Sequence, residues 1–418
     1  MVSGMNWKPI LATIALTTFS QAQIEVDLNG AKGHIHQVDL KNNSFQLLKE
    51  TEYDPKSDIT QSRFTVHWDE NTTMVAVEEL EDFNRIAGSE FALFQGIHDK
   101  DREAYEAGNP FEMRVVTLYS DRKLMADLKV EAHQLSGLFT PSRVKVRAGT
   151  ISTDRGDVEI SLRKRFWRIW RHQILDAEDL AKGLWKVQLT GAHTGGRFLA
   201  SKIQVVKLAD PRETDDPNLP RFLVIGDSIS MNYHQAEKKA LKAVANYHRC
   251  EGNAFSSNHG VRNSELWMGE FRQPGFQWDV IQFNHGLHDL KQAYDKATDE
   301  FGPYATSLDD YKKNLEKQIA ILRTSGARLI FATTTPVPND NKSTYARRKA
   351  AAKEFNAAAM EVMEKHPDIL INDLHGVVQG SKVFDHWRTT NDVHFYKPEE
   401  QALLGKAVAD AFRKALAK

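Results

Sequence analysis

RFLVIGDSIS, residues 221–230, decides the fold of the C-terminal half of this chain. The apolar residues 222–225 have the length of a short buried strand, and Gly226 ends that run. A helical pattern follows at residues 234–246. Ser228 is therefore predicted to lie where a strand turns into a helix. That place is the carboxyl edge of a parallel sheet, where open α/β folds bind ligands.

Two roles fit Ser228 in that position. Its hydroxyl can act as a nucleophile, with backbone N–H groups of the helix N-terminus facing an oxyanion. Alternatively, Asp227 or Ser228 only caps the helix, because both residue types favour the N-cap position. This segment alone does not separate the two roles, so other segments of the chain must decide between them.

Strands and helices alternate over the rest of the C-terminal half. Residues 279–284 form a second buried-strand run that ends in a glycine turn, and residues 307–324 have helical apolar spacing. A long helix is predicted at 342–365, and NDVH, residues 391–394, precedes an amphipathic terminal helix. This alternation predicts an α/β domain, with a parallel sheet and helices on both of its faces.

VIGDSIS, DVIQFNHGLHD and NDVH together resemble the GDSL/SGNH hydrolase family, over roughly residues 218–418. That family has four blocks in this chain order: Gly-Asp-Ser after the first strand, a lone glycine, Gly-x-Asn-Asp, and Asp-x-x-His. The resemblance implies an SGNH-type, flavodoxin-like, three-layer α/β/α domain with a parallel sheet over residues 221–418. It also implies a serine esterase similar to carbohydrate esterases.

The resemblance assigns roles to individual residues. Ser228 matches the nucleophile and His394 matches its base. Gly260, within NHGVRNSELW, matches the lone glycine, so Gly260 and Ser228 would each offer a backbone N–H to the oxyanion. Asp227, next to the nucleophile, is expected among the residues that bind the substrate or the oxyanion.

Two blocks depart from the family pattern. His288 stands where Gly-x-Asn-Asp has asparagine. A histidine N–H can also donate to an oxyanion, so His288 can replace the asparagine in that role. Asn284 is a second candidate for the oxyanion donor. Alternatively, His288 has only a structural role. Asn391 stands three residues before His394, where the family has aspartate, and Asp392 follows it. We prefer Asp392 as the residue that orients His394, because its charge has a larger effect inside a cleft.

Length and composition narrow the class of protein. The 418 residues suggest two or three domains, and 27% charged residues with a formal net charge of −1 are typical of a globular protein. Nothing in this balance indicates a nucleic-acid partner. The single cysteine, Cys250, excludes an internal disulfide and thiolate metal cages. The sequence has no P-loop and no dinucleotide fingerprint, so we expect neither a metal nor a cofactor.

The N-terminus has the pattern of a secretory signal peptide over residues 1–22. The apolar stretch 9–19 follows a positive charge, and Ser20-Gln21-Ala22 gives a small-x-small cleavage signal. The alternative is a buried N-terminal strand. The apolar stretch is too short to span a bilayer. We therefore expect a secreted or periplasmic protein with no membrane span after cleavage.

Residues 23–208 read mostly as short strands separated by Asn, Asp, Gly or Lys clusters, which predicts one or two small all-β modules. We place one module at 23–120 and a second at 121–208. ADPRETDDPNLP, residues 209–220, reads as the linker to the α/β domain. Because all the matched blocks follow this linker, the β modules are expected to lie outside the active site.

RKRFWRIWRH, residues 163–172, mixes arginines with Phe166, Trp167 and Trp170. Aromatic faces and guanidinium groups can hold an acidic glycan. The alternative is a strand with one aromatic face buried and arginines lying over it. We favour the packing interpretation.

Together with the export signal, the family resemblance implies an exported serine esterase that removes O-acyl groups, in particular O-acetyl groups, from a carbohydrate. Ser228 would form the acyl-enzyme and His394 would carry the proton. The expected partner is a small-molecule or polysaccharide ester. One alternative is a glycan O-acyltransferase with the same two residues. The other is a non-catalytic glycan-binding protein, in which the departures at His288 and Asn391 signal lost activity.

Overall fold

The structure of the protein is a computed structural model. The segment predicted to be a signal peptide, residues 1–22, lies outside the residues it describes. The described residues are 27–52, 63–80, 83–86, 88–95, 111–113, 115–126, 128–130, 134–145, 148–162, 168–269, 271, 275–343 and 346–417.

Strands dominate the N-terminal part of the chain. Those in the described residues are β1 (Lys32–Asp39), β2 (Ser44–Lys49), β3 (Arg63–His67), β4 (Thr73–Leu80), β5 (Glu90–Gln95), β6 (Phe111–Met113), β7 (Val115–Tyr119), β8 (Gln134–Pro141), β9 (Ala148–Thr153), β10 (Gly156–Leu162), β11 (Arg168–Ile174), β12 (Trp185–Thr194) and β13 (Arg197–Lys207). A short helix, α1 (Ala177–Lys182), precedes β12.

Five of these strands close a small barrel. β1 pairs with β12 and β2, β2 pairs with β3, β3 pairs with β13, and β13 returns to β12. Closing the ring in this way pairs both edges of the sheet. The barrel encloses an apolar cluster that includes the buried side chains of Phe45, Val66 and Ile203.

The remaining strands extend the sheet around a second core. β13 also pairs with β4, and from there the order is β4-β11-β7-β5-β8-β9-β10-β6. A separate apolar cluster, including Phe94, Val116 and Ile169, packs against these strands. The two groups of strands are nested along the chain, because β4–β11 lie between β3 and β12. The strand pairing thus crosses the boundary of the expected tandem division into 23–120 and 121–208.

The described half of RKRFWRIWRH belongs to β11, which lies inside this sheet between β4 and β7. Ile169 is fully buried, and the Arg171 Nε–H donates to the Glu90 carboxylate at 3.1 Å. These contacts agree with the packing interpretation for this half. Residues 163–167, which include Trp167, lie outside the described residues.

The C-terminal part folds as an α/β domain. Its strands are β14 (Arg221–Ile225), β15 (Asn246–Arg249), β16 (Val280–Phe283), β19 (Arg328–Ala332) and β20 (Leu370–Asn372), with a separate hairpin of β17 (Gln292–Asp295) and β18 (Glu300–Tyr304). Its helices are α2 (Pro211–Thr214), α3 (Ser228–Ala240), α4 (Ser257–Met268), α5 (Leu308–Arg323), α6 (Ala351–Met363), α7 (Leu374–Gly380) and α8 (Pro398–Leu416). Among the described residues, none of the helices has the length and apolar character needed to cross a membrane.

The five main strands are parallel and follow the order β15-β14-β16-β19-β20. Counted along the domain, this is the 2-1-3-4-5 order of flavodoxin-like folds, the fold type that the family resemblance implied. Right-handed crossovers place helices on both faces of such a sheet. The strand order reverses between β14 and β16, and ligands bind outside the carboxyl ends of the strands at that point. Ser228 follows β14 there, and Asn284 follows β16.

Two helices differ in extent from the prediction. The helix after β14 begins at Ser228, earlier than expected, because the Asp227 side chain caps it. The helix expected at 342–365 is α6, which begins only at Ala351. The residues before α6 form isolated β-bridges, one of them with the first residue of β17. Bridge pairing removes these residues from the helix.

The predicted linker, residues 209–220, is fastened to the α/β domain. The buried Asp215 carboxylate accepts hydrogen bonds from the Arg221 side chain at 2.7 Å and from the His248 ring at 3.1 Å. Asp210 caps the short helix α2 within this segment. The polar residues of the linker therefore fix its path along the edge of the sheet.

The barrel also contacts the α/β domain directly, through α4. The Thr51 N–H donates to Oδ1 of the buried Asn263 at 3.0 Å. Arg63 and Glu265 form a salt bridge, with an N–O distance of 3.5 Å. The barrel thus packs on the helix that carries Gly260.

Candidate active site

The candidate nucleophile, Ser228, is the first residue of α3, directly after the turn that ends β14. Asp227 is the N-cap, and its Oδ1 accepts a hydrogen bond from the Ile229 N–H at 2.9 Å. Capping therefore falls to Asp227 and leaves the Ser228 hydroxyl for another partner. The first N–H groups of a helix have no partner within that helix. The Ser228 N–H is thus suitably placed to donate to an oxyanion.

Asp227 is a buried residue that caps α3. It is 1% exposed, and burial raises the pKa of its carboxyl. Its side chain is directed under the start of α3, where it accepts the Ile229 N–H. The contact of this carboxyl is that of a helix cap, and the substrate-binding role expected of Asp227 stays a prediction.

Arg249, at the end of β15, holds the nucleophile turn in place, and the sequence analysis missed it. Its Nη2 donates to the Gly226 carbonyl at 2.9 Å, and its Nε donates to the Ser230 hydroxyl at 2.9 Å. The fixed fork of guanidinium donors suits two such acceptors. The sequence signal is an arginine at the end of a strand, which becomes informative only when β15 is known to neighbour β14.

A chain of hydrogen bonds joins three side chains at the cleft. His394 Nε2 lies 2.9 Å from Ser228 Oγ, and His394 Nδ1 lies 2.6 Å from Asp392 Oδ1. The His394 backbone N–H also donates to that carboxylate oxygen, at 3.0 Å. A carboxylate on Nδ1 fixes the tautomer in which Nε2 can accept the serine proton. The geometry is that of a nucleophile, a base and an orienting acid.

The side chains alternate in the segment that carries His394. Val393 and Phe395 are 5% and 0% exposed, whereas Asp392 contacts the His394 ring. Neighbouring side chains of an extended segment point to opposite sides. Asp392 therefore shares the side of His394. Asn391 is exposed, and the contacts of the His394 ring are with Asp392 and Ser228.

Asp392 is held in its ionised form by the groups around it. Partial burial by itself would raise the pKa of this carboxyl. Hydrogen bonds from the His394 backbone, the Tyr396 hydroxyl and the His394 ring outweigh burial and lower the pKa below its ordinary value. The Tyr396 hydroxyl donates to Asp392 Oδ2 at 2.8 Å. The sequence analysis missed Tyr396, although its position two residues after His394 puts it on the same side of an extended segment.

Tyr396→Phe is expected to lower kcat for an aryl acetate about fivefold with little change in KM. The substitution removes a hydrogen bond worth about 1 kcal/mol but keeps the ring. Steady-state kinetics measures both constants. Tyr294→Phe is the control, because the Tyr294 hydroxyl donates to Asp299 on the β17–β18 hairpin. An unchanged kcat in Tyr396→Phe would show that the hydroxyl does not support Asp392.

Gly260 lies at a crowded position in α4. Its N–H donates to the Ser256 carbonyl at 3.0 Å, within the internal bonding of α4, and the oxyanion role expected of it stays a prediction. A Cβ at Gly260 would lie 2.3 Å from Nε2 of the buried His285. The His285 Nδ1–H donates to the Phe255 carbonyl at 3.1 Å. The glycine thus admits a histidine that ties the loop before α4 to the turn after β16.

Gly260→Ala is expected to lower the free energy of unfolding by about 1–3 kcal/mol, the cost of overpacking a filled core. Chemical denaturation measures this change. Gly380→Ala is the control, because a Cβ at Gly380 meets nothing within 4 Å and should change stability by less than about 0.5 kcal/mol. If Gly260→Ala is as stable as the wild type, His285 does not depend on the space that the glycine leaves.

His288 lies beside the site as a neutral imidazole. It is 7% exposed, and burial with the nearby charges of Lys291 and Arg347 lowers its pKa to about 2. The Lys291 ammonium donates to Nδ1 at 3.0 Å, so the ring proton is on Nε2, which can donate. The charge of His394 also acts on His288. A neutral donor beside the triad suits the oxyanion role, which stays a prediction.

Asn284, the rival donor, is directed toward the neighbouring strand. Its Nδ2 donates to the Ala332 carbonyl of β19 at 2.7 Å. Asp289, which follows His288, has a structural role: it accepts the Ser257 N–H at 3.0 Å and the Ser257 hydroxyl at 2.6 Å, at the start of α4. Burial raises the pKa of Asp289 to about 6. Of the two oxyanion candidates, His288 is therefore the better placed.

Cys250 is a core residue and not a reactive thiol. It is 4% exposed, and burial raises the pKa of its thiol. Within the part of the chain that the structure describes, no group of three or more His, Cys, Asp or Glu residues is arranged to hold a metal ion.

The segment that contains the triad matches a known family. Residues 224–397 match the model of the GDSL-like lipase/acylhydrolase family. The chain carries a GDSL-like lipase/acylhydrolase domain. The match includes Ser228 in its first residues and His394 in its last, as the resemblance of the sequence implied. The protein is therefore an ester-hydrolysing enzyme.

The GDSL domain is also similar to solved structures. They include the C-terminal catalytic domain of peptidoglycan O-acetyltransferase A from Streptococcus pneumoniae (19% identity, 48% of this chain and 96% of that chain, TM-score 0.33), the acetyl xylan esterase AlAXEase (12%, 46% and 98%, TM-score 0.36) and a lipase/acylhydrolase from Enterococcus faecalis (15%, 47% and 96%, TM-score 0.34). Comparison with the curated proteins gave no match.

The triad of the GDSL domain is open to solvent. The side chains of His394 and Asp392 are 31% and 42% exposed, and Ser228 is half-buried. Tyr396, 67% exposed, has its ring centroid 5.9 Å from that of His394. An ester on a large molecule can therefore approach Ser228 from the surface.

Proposed function

We propose that this protein is an exported esterase that removes O-acyl groups, in the first place O-acetyl groups, from a carbohydrate. The observation that supports its chemistry is the hydrogen-bonded chain from Asp392 through His394 to Ser228, with distances of 2.6 and 2.9 Å. An intact chain of this kind argues against a protein that only binds glycans. Asp392 compensates for the amide at Asn391.

In the proposed reaction, Ser228 Oγ attacks the ester carbonyl carbon as its proton passes to His394 Nε2. The Ser228 N–H and the His288 Nε2–H donate to the oxyanion that forms. The bond between the acyl carbon and the sugar oxygen then breaks, and that oxygen takes the proton from His394. Water, deprotonated by His394, attacks the acyl-enzyme, and the departing serine oxygen recovers the proton as acetate leaves.

Exposure of the site supports a carbohydrate as the carrier of the ester. A polysaccharide can lie along the surface and present an acetyl group to Ser228 without entering a tunnel. The exposed ring of Tyr396 beside His394 offers a flat apolar face on which a sugar ring can pack. A small acyl group would leave most of the contact area to the sugar.

The proposed export of the protein is supported by its sequence alone. Residues 1–22 have the charge, apolar stretch and small-residue signal of a secretory leader. Polysaccharides that carry acetyl esters are reached outside the cytoplasm. The proposed location is therefore outside the cell or in the periplasm.

The proposal is tested by incubating the purified protein with aryl acetates and with O-acetylated polysaccharides and measuring the acetate released. We expect release from both, abolished in Ser228→Ala. Acetyl transfer to an added oligosaccharide, with little free acetate, would indicate an acyltransferase instead. No turnover and no labelling by a fluorophosphonate would indicate a binding protein and contradict the proposal.

A further inference from the structure

Two cationic residues, Lys291 and Arg347, are brought side by side at the rim of the active site. Gln292 and Ala346 form an antiparallel bridge, with the Gln292 N–H donating to the Ala346 carbonyl at 2.9 Å. In an antiparallel pair, the residue before one partner lies opposite the residue after the other. Opposite residues place their side chains on the same face, with Cβ atoms about 5 Å apart. Gln292 and Ala346 are buried, so their neighbours face outward.

Both cations reach toward the turn beside the nucleophile. The Lys291 Nζ donates to His288 Nδ1 at 3.0 Å, and the Arg347 Nε donates to the Leu287 carbonyl at 2.9 Å. The charge of Arg347 acts on Asp227, which precedes Ser228. The two positive groups therefore lie within electrostatic reach of the reacting centre.

Like charges opposite each other across two strands destabilise a fold. Burial and the charge of Arg347 lower the pKa of Lys291 to about 8, a sign of that cost. The acids that act on Lys291 are Asp227 and Asp289, and burial raises the pKa of both carboxyls. An anionic ligand would relieve the repulsion between the two cations.

We propose that Lys291 and Arg347 bind an anionic group of the acylated sugar chain, so that the substrate is an acidic glycan. This inference rests on the proposed function, because it concerns the substrate of the Ser228 site. A guanidinium binds the oxygens of carboxylates and sulfates through paired N–H donors, and a lysine adds a mobile charge. A uronic acid and a sulfated sugar share this chemistry, and the experiment separates them.

The experiment compares kcat/KM for O-acetylated polygalacturonate, O-acetylated dextran sulfate and O-acetylated xylan, the last as the neutral polymer. We expect the wild type to prefer at least one acidic polymer. In Arg347→Gln, the ratio of acidic to neutral kcat/KM should fall about tenfold or more, the effect of a hydrogen bond to a charged group. The preference of the wild type should also weaken with salt. The acidic polymer whose kcat/KM falls in Arg347→Gln identifies the bound anion as carboxylate or sulfate.

Arg348→Gln is the matched control, because it removes the same charge from the next residue. The Arg348 Nε donates to Gln292 Oε1, and its guanidinium also contacts the Tyr304 hydroxyl and the Glu354 carboxylate. The substrate ratio should stay within about twofold in this variant, since surface charges contribute little at a distance. A wild type without preference for either acidic polymer would overturn the inference. So would equal losses on acidic and neutral polymers in Arg347→Gln, which would indicate a structural role.

A poorly folded Arg347→Gln would still leave a decisive measurement on the wild type. Unacetylated polygalacturonate and unacetylated dextran sulfate should inhibit hydrolysis of acetylated xylan, and an uncharged dextran should not. Equal inhibition by charged and uncharged polymers would contradict the anion subsite. Hydrolysis of a neutral aryl acetate depends on the Ser228 site and not on the anion subsite. A wild type that does not hydrolyse the aryl acetate would contradict the proposed function and leave the subsite as a separate question.

Discussion

Ser228→Ala should lower kcat for an aryl acetate by at least about 10³-fold, the scale of losses when a catalytic group is removed. Alanine has no oxygen to attack the ester and removes the hydroxyl that lies 2.9 Å from His394 Nε2. The fold should be preserved, because Asp227 provides the cap of α3. Steady-state kinetics with a denaturation curve measures both effects. A variant that kept a tenth of the activity would exclude Ser228 as the nucleophile.

Ser230 supplies the control for this substitution. It lies in the same turn, is buried, and donates its hydroxyl to the Asp227 carbonyl at 2.7 Å. Ser230→Ala removes this bond and the one that its hydroxyl accepts from Arg249 Nε, so it should cost about 2–4 kcal/mol of stability. Its serine nucleophile remains, so a fluorophosphonate should label Ser230→Ala and not Ser228→Ala. Labelling of both variants would point to another nucleophile.

The fold of the C-terminal half follows from local sequence features, whereas the N-terminal half depends on distant pairing. Each strand of the α/β sheet is a short apolar run that ends at a turn, and each main helix has its own apolar spacing. Right-handed crossovers then leave few possible topologies. In the barrel, β3 pairs with β13 across more than a hundred residues. Nothing in either strand specifies its partner, which is why a tandem division was predicted.

Prediction of the functional site from the sequence has the same limit for individual residues. Ser228 and His394 were identified because their positions along the chain are specific to their roles. The hydrogen bond that the Gly260 N–H donates within α4 was not predicted, because a glycine in a sequence does not show where its N–H donates. The sequence did not indicate that Lys291 and Arg347 are neighbours, because a bridge between residues of two separate segments brings them together. Sequence reasoning finds residues that act through their place in a motif and misses those that act through a tertiary neighbour.

The second large effect is expected at Asp392, the residue that orients His394. The sequence left two candidates, because Asn391 occupies the place of the family aspartate. The structure places Asp392 Oδ1 2.6 Å from His394 Nδ1, and its second oxygen accepts the Tyr396 hydroxyl at 2.8 Å. A carboxylate in this position holds the imidazole tautomer and stabilises the imidazolium that forms when Ser228 attacks. The charge, and not only the hydrogen bond, should therefore matter.

Asp392→Ala is expected to lower kcat by about 10²–10⁴-fold with a small change in KM, because Asp392 acts on the reaction through His394. Asp392→Asn should lose nearly as much, since an amide can orient the ring but carries no charge for the imidazolium. Asn391→Ala is the matched control and should change kcat by less than about threefold, because its side chain is exposed and directed away from the ring. A large loss in Asn391→Ala with a silent Asp392→Ala would reverse the assignment. If both variants stay fully active, a Ser228–His394 dyad performs the reaction and the 2.6 Å contact is structural.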